Sequence, residues 1–184
     1  MADWFETLAE THAEVWRRLT RGVADRRAAA RHPVLATTGL TGFAEARVVV
    51  LRGAEPSMGR LEIHTDRASA KLAEATASPG ATLLIWEERA RLQIRLRAHL
   101  HEAPAEIQAE RWARAPEGSR AVYRALPPPG TPIGAPFELG ESSEPRFTVL
   151  WAEIQEIDTL HLGTPHRRAL FTRADGWKGT WLAP

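Results

Sequence analysis

Apolar residues near the start of the chain recur at three- and four-residue steps: Trp4, Phe5, Leu8, Val15, Trp16, Leu19 and Val23. That spacing puts them on one side of a helix and predicts an amphipathic helix over roughly residues 3–28, broken at Gly22. From His32 the pattern changes. Val34–Thr38 reads as a short strand, Gly39–Gly42 as a turn, Ala46–Leu51 as a β-branched strand and Arg60–Thr65 as another. Asp66 reads as the N-cap of a short helix over Ala68–Ala77, which Pro79-Gly80 stops before Ala81–Trp86 resumes strand. The clearest element is Arg91–His101. There Leu92, Ile94, Leu96, Ala98 and Leu100 alternate with Arg91, Gln93, Arg95, Arg97, His99 and His101. Strict alternation over this length predicts a strand with one buried and one polar face. Ala105–Arg114 and Ser119–Leu126 read as helices. Pro127 to Pro145 reads as a long irregular loop, a kind of segment that is uncommon unless it is used. Phe147–Ile157 is a long strand and Leu160–Leu162 a separate short one. Arg168–Arg173 and Trp177–Leu182 flank Asp175-Gly176 as a hairpin.

Strands dominate, with a helix at the start and short helices between strands. The expected class is α+β, mainly β: an antiparallel sheet that closes into a barrel. A doubly wound fold needs a helix after nearly every strand, and those are missing. Residues 1–184 read as one domain, with 1–31 as an N-terminal helical segment. No apolar run reaches the roughly 18 residues of a membrane helix, and the acidic N-terminus has no apolar core, so the expected home is the cytoplasm, away from membranes. With no cysteine, disulfides, thiolate metal sites and a cysteine nucleophile are excluded. A net charge of +1 argues against a nucleic-acid partner.

Candidate chemistry is sparse, and each piece has a plain structural reading. Arg47-Val48-Val49-Val50-Leu51-Arg52 places two arginines on opposite faces of one expected strand, where the plain reading is solvated strand ends. His64-Thr65-Asp66-Arg67-Ala68-Ser69-Ala70-Lys71 runs a strand into a helix. The free N–H groups of the first turn, a serine hydroxyl and a lysine there suit an anion; the plain reading is a capped surface helix. Gln93 offers a donor and an acceptor from a polar strand face. His166-Arg167-Arg168 opens the last hairpin. No metal-ligand spacing, G-x-S-x-G, P-loop or G-x-G-x-x-G occurs.

Taken in order, R-V-V-V-L-R, then H-T-D-R-A-S-A-K, then Gln93, then R-A-L-F-T-R-A-D-G-W-K-G-T-W-L-A-P resemble the pyridoxamine 5′-phosphate oxidase superfamily from about His32 to the end. The resemblance implies an FMN-binding split β-barrel that works as a homodimer, with the flavin between subunits. It implies that Arg47 and Lys71 hold the FMN phosphate with Ser69 beside them. Val48, Val49, Leu51 and Arg52 would line the isoalloxazine. His64 and Thr65 take the place of the family's aromatic–threonine pair, Gln93 of its flavin-contacting glutamine, and Arg168 of its closing-hairpin arginine. Ser119 and His166 match substrate-contact positions. Departures are Ala70 for an arginine, Leu160 for the flavin-stacking tryptophan, and the proline-rich loop for a Gln-Ser pair. Ala115 and Thr164 replace the two arginines that grip the substrate phosphate. Each lost charge-assisted bond forfeits roughly 1.5–3 kcal/mol, so pyridoxine or pyridoxamine phosphate is not the expected substrate. The leading expectation is an FMN-dependent oxidoreductase acting on an unspecified small molecule. Alternatives are a non-enzymatic flavin carrier or sensor, and a barrel for haem or a pterin using His99 and His101.

Overall fold

The computed structural model describes residues 3–136 and 140–184. Helix α1 spans Leu8–Ala24. It starts after Trp4 and Phe5 because the Thr7 hydroxyl caps it, accepting the Glu10 N–H at 3.2 Å. Gly22 does not break it. A Cβ there would stand 2.7 Å from the Ala30 carbonyl carbon, so glycine lets α1 touch the 3-10 turn Ala29–Arg31.

The first strands are β1 (Val34–Thr38), β2 (Ala44–Val48), β3 (Leu51–Glu55) and β4 (Arg60–Asp66). The Val-rich run is therefore not one strand. The chain changes partners at Val49-Val50: β2 pairs with β1, and β3 pairs with β4. Arg47 and Arg52 thus sit on different strands. Helix α2 spans Ala70–Ala77 with Ser69, not Asp66, as N-cap; Asp66 Oδ1 instead takes the Ala68 N–H at 2.8 Å in the preceding turn.

Next come β5 (Gly80–Glu87) and β6 (Leu92–Glu102), then α3 (Ala105–Arg114) and α4 (Glu117–Val122). The expected helix to Leu126 stops short because Ala125–Leu126 forms β7, paired with β8 (Gly140–Glu141). This short ribbon closes much of the proline-rich loop, of which residues 137–139 lie outside the described residues. Strand β9 is continuous from Phe147 to His161, absorbing the separate strand expected at Leu160–Leu162. β10 (Arg167–Thr172) and β11 (Thr180–Leu182) follow, joined through Gly176, whose φ of 68° suits a residue without Cβ.

The sheet is antiparallel and ordered β11-β10-β9-β6-β5-β1-β2. β9 pairs along one edge with β6, and along the other first with β4 and then with β10. β2 and β3 are covalently adjacent but not hydrogen-bonded to each other, so the sheet curls without closing: a split barrel. Arg173 fills the gap where β4 gives way to β10, donating to Ile154 O at 2.8 Å and to Met58 O and Gly59 O at 2.9 Å.

Inward positions make the main core: Leu35, Leu83, Leu92, Ile94, Leu96 and Phe171 are solvent-free, against Val15 and Leu19 of α1. A second cluster lies on the outer face of β4 and β9, where Phe147 and Val149 meet Trp112 and Tyr123 of the α3–α4 region. Arg111 of α3 anchors it, its Nε donating to Glu62 Oε1 at 2.9 Å, while His64 Nε2 lies 2.9 Å from the same oxygen. Burial alone would raise the Glu62 pKa; the bonds from His64 and Arg111 overcome it and hold the carboxyl at about 2.

Two outcomes follow from these contacts. Gly22→Ala improves helix propensity but drives Cβ into Ala30, so urea titration should show a loss of about 1–3 kcal/mol; an unchanged midpoint would show that the turn yields freely. For Glu62 the depressed pKa means that its stabilisation is complete above about pH 4.5 and is lost as pH falls through about 2. The stability gap between the parent and Glu62→Gln should therefore narrow by about 3 kcal/mol between neutral pH and about pH 2. A gap that stays constant with pH would sink this account.

Candidate cofactor-binding site

Strand β4 delivers Thr65 to the barrel interior, and the turn after it starts α2. The Ser69 hydroxyl caps no helix N–H; it lies 3.1 Å from Thr65 Oγ1, to which Lys71 Nζ donates at 3.0 Å. Lys71 and Glu74 stand three residues apart on one face of α2. The buried Glu74 carboxylate takes the Arg47 Nη2–H at 2.8 Å and the Thr37 hydroxyl at 2.5 Å, and Arg47 also bonds Thr37. Arg47 faces inward because its partner across β1–β2, Leu35, is fully buried.

Burial pushes the Lys71 pKa down, and the nearby Arg47 charge pushes it further, against Asp66 and Glu74. Two cations are thus held together, half-buried, beside two hydroxyls and the positive end of α2. This donor set fits a phosphate dianion, which would relieve the repulsion and replace lost hydration. Arg47, Thr65, Ser69 and Lys71, read separately along the chain, converge here.

A second group lies on the other face of the sheet. Leu92 and Ile94 point into the core, so Gln93 points out. Register places Trp86, Gln93, Leu160 and Arg168 side by side on β5, β6, β9 and β10. Arg168 grips Asp158 with Nε at 3.1 Å and Nη2 at 2.9 Å, and Arg95 bonds the same carboxylate. Burial would raise the Asp158 pKa, but the bonds from Arg168 and Arg95 lower it. Further along, Arg97 pairs with Glu156 at 2.9 Å and His101 lies 3.6 Å from Glu153. The basic face of β6 is thus matched by acids on β9. Val48, Leu84 and Trp86 are exposed on this outer face.

The remaining residues scatter. Val49 and Leu51 are core side chains, leaving only their backbone to meet a ligand, and Arg52 is exposed. His64 lies beneath α3, against Glu62 and the edge of Phe147, on the opposite face from Thr65. Ser119 is on α4, after which Tyr123 packs on Phe147 at the start of β9, whereas His166 follows the end of β9, so the fold does not bring them together. His166 lines a cleft of about 280 Å³ with Phe5, Arg168 and Trp181. A larger cleft of about 880 Å³ lies between α1 and the β5–β6 turn, bordered by Trp86, Arg27 and Arg89. Neither cleft includes Arg47 or Lys71. Among the described residues no three His, Cys, Asp or Glu side chains gather as metal ligands.

Thr37, Glu74 and Asp158 are partners that the sequence reading missed. Glu74 had one signal, its helical spacing from Lys71. Asp158 had another, because Glu156 and Asp158 alternate with apolar neighbours as strand residues do. Thr37 had none, since only the pairing of β1 with β2 brings it to Arg47.

Residues 13–102 match the family model described as pyridoxamine 5′-phosphate oxidase, FMN-binding domain. The chain is 27% identical over 184 residues to the pyridoxine/pyridoxamine 5′-phosphate oxidase 2 of Arabidopsis thaliana, covering 90% of this chain and 92% of that one. Its fold is similar to a pyridoxamine 5′-phosphate oxidase-related FMN-binding protein from Nostoc punctiforme, with a TM-score of 0.76, 22% identity, and coverage of 100% of this chain and 99% of the other. It is also similar to PhzG from Burkholderia lata in complex with tetrahydrophenazine-1-carboxylic acid, with a TM-score of 0.74, 18% identity, and coverage of 100% and 97%. Residues 13–102 thus carry the likeness to the pyridoxamine 5′-phosphate oxidase FMN-binding domain, and the chain shares the split-barrel fold of the related FMN-binding proteins.

Proposed function

We propose that two copies of this chain bind FMN between them and act as an FMN-dependent oxidoreductase on a small molecule other than pyridoxine or pyridoxamine phosphate. The observation that carries this reading is the separation of the two groups. Arg47 and Lys71 face inward at the barrel rim, while Gln93 and Arg168 face outward. Arg168 lies five strands from β2, about 24 Å along the sheet at 4.8 Å per strand, before the turn round its edge is counted. A tricyclic ring on a five-carbon chain ending in phosphate does not cover that path. One subunit supplies the phosphate cradle and its partner the ring-facing row. Exposed Val48, Leu84 and Trp86 give that outer face apolar surface to bury on pairing.

Bound FMN would supply the electron and hydride chemistry. The chain binds and orients: Arg47, Lys71, Ser69 and Thr65 fix the phosphate, Gln93 presents a donor and an acceptor to the ring, and Arg168, held by Asp158, places a positive charge at its edge. His166, beside Arg168 and the 280 Å³ cleft, is placed to touch substrate.

The substrate reading rests on Ala115 and Thr164. Ala115 ends α3 and Thr164 lies in the exposed β9–β10 turn; neither carries a charge for a phosphate. The Arabidopsis relative is named for pyridoxine and pyridoxamine phosphate, and the Burkholderia neighbour binds a tetrahydrophenazine carboxylate. One fold therefore accompanies different ligands, and the site must decide. A flavin carrier or sensor is the second reading, favoured by the scatter of His166 and Ser119. Steady-state turnover with NAD(P)H and an acceptor separates the two.

Three outcomes are expected. Lys71→Ala should raise the FMN dissociation constant about ten- to a hundredfold, with Lys178→Ala unchanged; equal affinities for all three proteins would make Lys71 a solvated surface residue. Light scattering should show a dimer at micromolar concentration that loses FMN on dissociation, and a monomer binding FMN tightly would overturn the shared site. Oxidase assays with pyridoxine and pyridoxamine phosphate should fall far below about 1 per second, and ordinary turnover would refute the argument from the missing arginines.

A further inference from the structure

The row that would face the flavin ring has a polarity gradient. At one end Arg168 and Arg95 share Asp158. Gln93 and Leu160 occupy the middle. At the other end stands Trp86, 46% exposed, with Leu84 two residues before it on the same face, 37% exposed. Trp86 is the direct cross-strand neighbour of Gln93. Four side chains on adjacent strands span about 14 Å at 4.8 Å per strand. The core accounts for none of this surface: Leu83 and Ile85 supply β5's inward face, and Trp86 turns its indole outward. A large aromatic ring left half in water on a sheet face costs apolar hydration unless something covers it.

The isoalloxazine has a matching gradient. Its pyrimidine end carries carbonyls and an N–H; its dimethylbenzene end is apolar. We infer that Trp86 is the aromatic contact of the flavin ring, packing against its dimethylbenzene end, while Arg168 faces the pyrimidine end. The row thereby fixes which way round the ring lies. Leu160 gives the middle of the ring aliphatic surface only, so the aromatic contact is displaced two strands along the row, onto β5. The opposite orientation sets the pyrimidine carbonyls over Trp86 and Leu84, which offer them no acceptor-satisfying donor beyond one indole N–H, and sets the methyl groups against two arginines and a carboxylate. Desolvating those charges without a partner is unfavourable. The larger cleft opens at Trp86, leaving space on the dimethylbenzene side.

This inference rests on the proposed FMN site. Trp181, 43% exposed on β11, lines the cleft that also holds Arg168, but its register partner is the buried Ala169, so it stands at the Arg168 end of the sheet outside the row. The two tryptophans therefore report at which end, and on which surface, an indole meets the flavin. The full-length protein, reconstituted with FMN and desalted, is examined by flavin emission and visible circular dichroism, in the parent and in Trp86→Phe, Trp86→Leu and Trp181→Phe. Indole in contact with a flavin quenches its emission by electron transfer. The expected result is weak emission in the parent, several-fold recovery in Trp86→Phe, a dissociation constant raised about tenfold in Trp86→Leu, and no change of either kind in Trp181→Phe. Recovery in Trp181→Phe instead places the indole contact at the β11 cleft and overturns the proposal. So does FMN that stays bound with unaltered emission and dichroism in both Trp86 variants. A parent protein that retains no FMN after desalting refutes the cofactor reading itself, and is told apart from the other outcomes because no flavin band is present.

Discussion

Strand β9 is hydrogen-bonded along both edges, and the rest of the molecule is arranged by that fact. Its fifteen residues satisfy β6 on one side and two successive partners, β4 and then β10, on the other. A backbone buried between neighbours must have its N–H and C=O groups paired, so the change of partner demands a filler. Arg173 is that filler, its guanidinium donating to the backbone carbonyls of Ile154, Met58 and Gly59. The long strand also has two faces in different surroundings: the main core inside, and outside first the α3–α4 cluster and then the Gln93–Arg168 row.

From this comes the division of the site. The inner face at the barrel rim concentrates positive charge where α2 begins, with Glu74 as the buried counter-charge for Arg47. The outer face is laid out as salt-bridged pairs, Arg95 and Arg168 on Asp158 and Arg97 on Glu156, beside a strip of exposed apolar side chains. Charges that are paired across strands hold their geometry, so Arg168 is presented as a fixed donor rather than as a mobile solvated side chain. On the proposed reading, a ligand that needs both surfaces would be met by two subunits, and its binding and the pairing of subunits would become one equilibrium.

The Glu62–His64–Arg111 cluster shows the same logic put to structural use. Glu62 is ionised and buried, so it only accepts, and His64 is thereby fixed with its Nε2 as donor. A residue that the sequence places beside Thr65 as a flavin neighbour is thus turned to the other face and held under α3.

Alternation in Arg91–His101 and the spacing of Leu8, Val15 and Leu19 determined the strand β6 and the helix α1 from the sequence, because burial of one face imposes a period that no partner can alter. The order of short motifs likewise pointed to the family likeness, and it raised Arg47, Ser69, Lys71, Gln93 and Arg168 as the candidates on which the proposed site rests. Boundaries set by long-range pairing were not legible. Whether Ala46–Leu51 is one strand or two depends on β1 and β4 offering separate partners, and whether Leu160 continues β9 depends on β10 and β6 flanking it. Gly22 looked like a helix break because propensity is local, whereas its reason is a neighbour, Ala30, that arrives only with folding. Partners across the sheet were equally hidden: Glu74 for Arg47, Asp158 for Arg168, and Trp86 beside Gln93 are separated along the chain and meet only through register. Local periodicity is written in the sequence, but which face a residue shares, and with whom, is decided when the strands choose their neighbours.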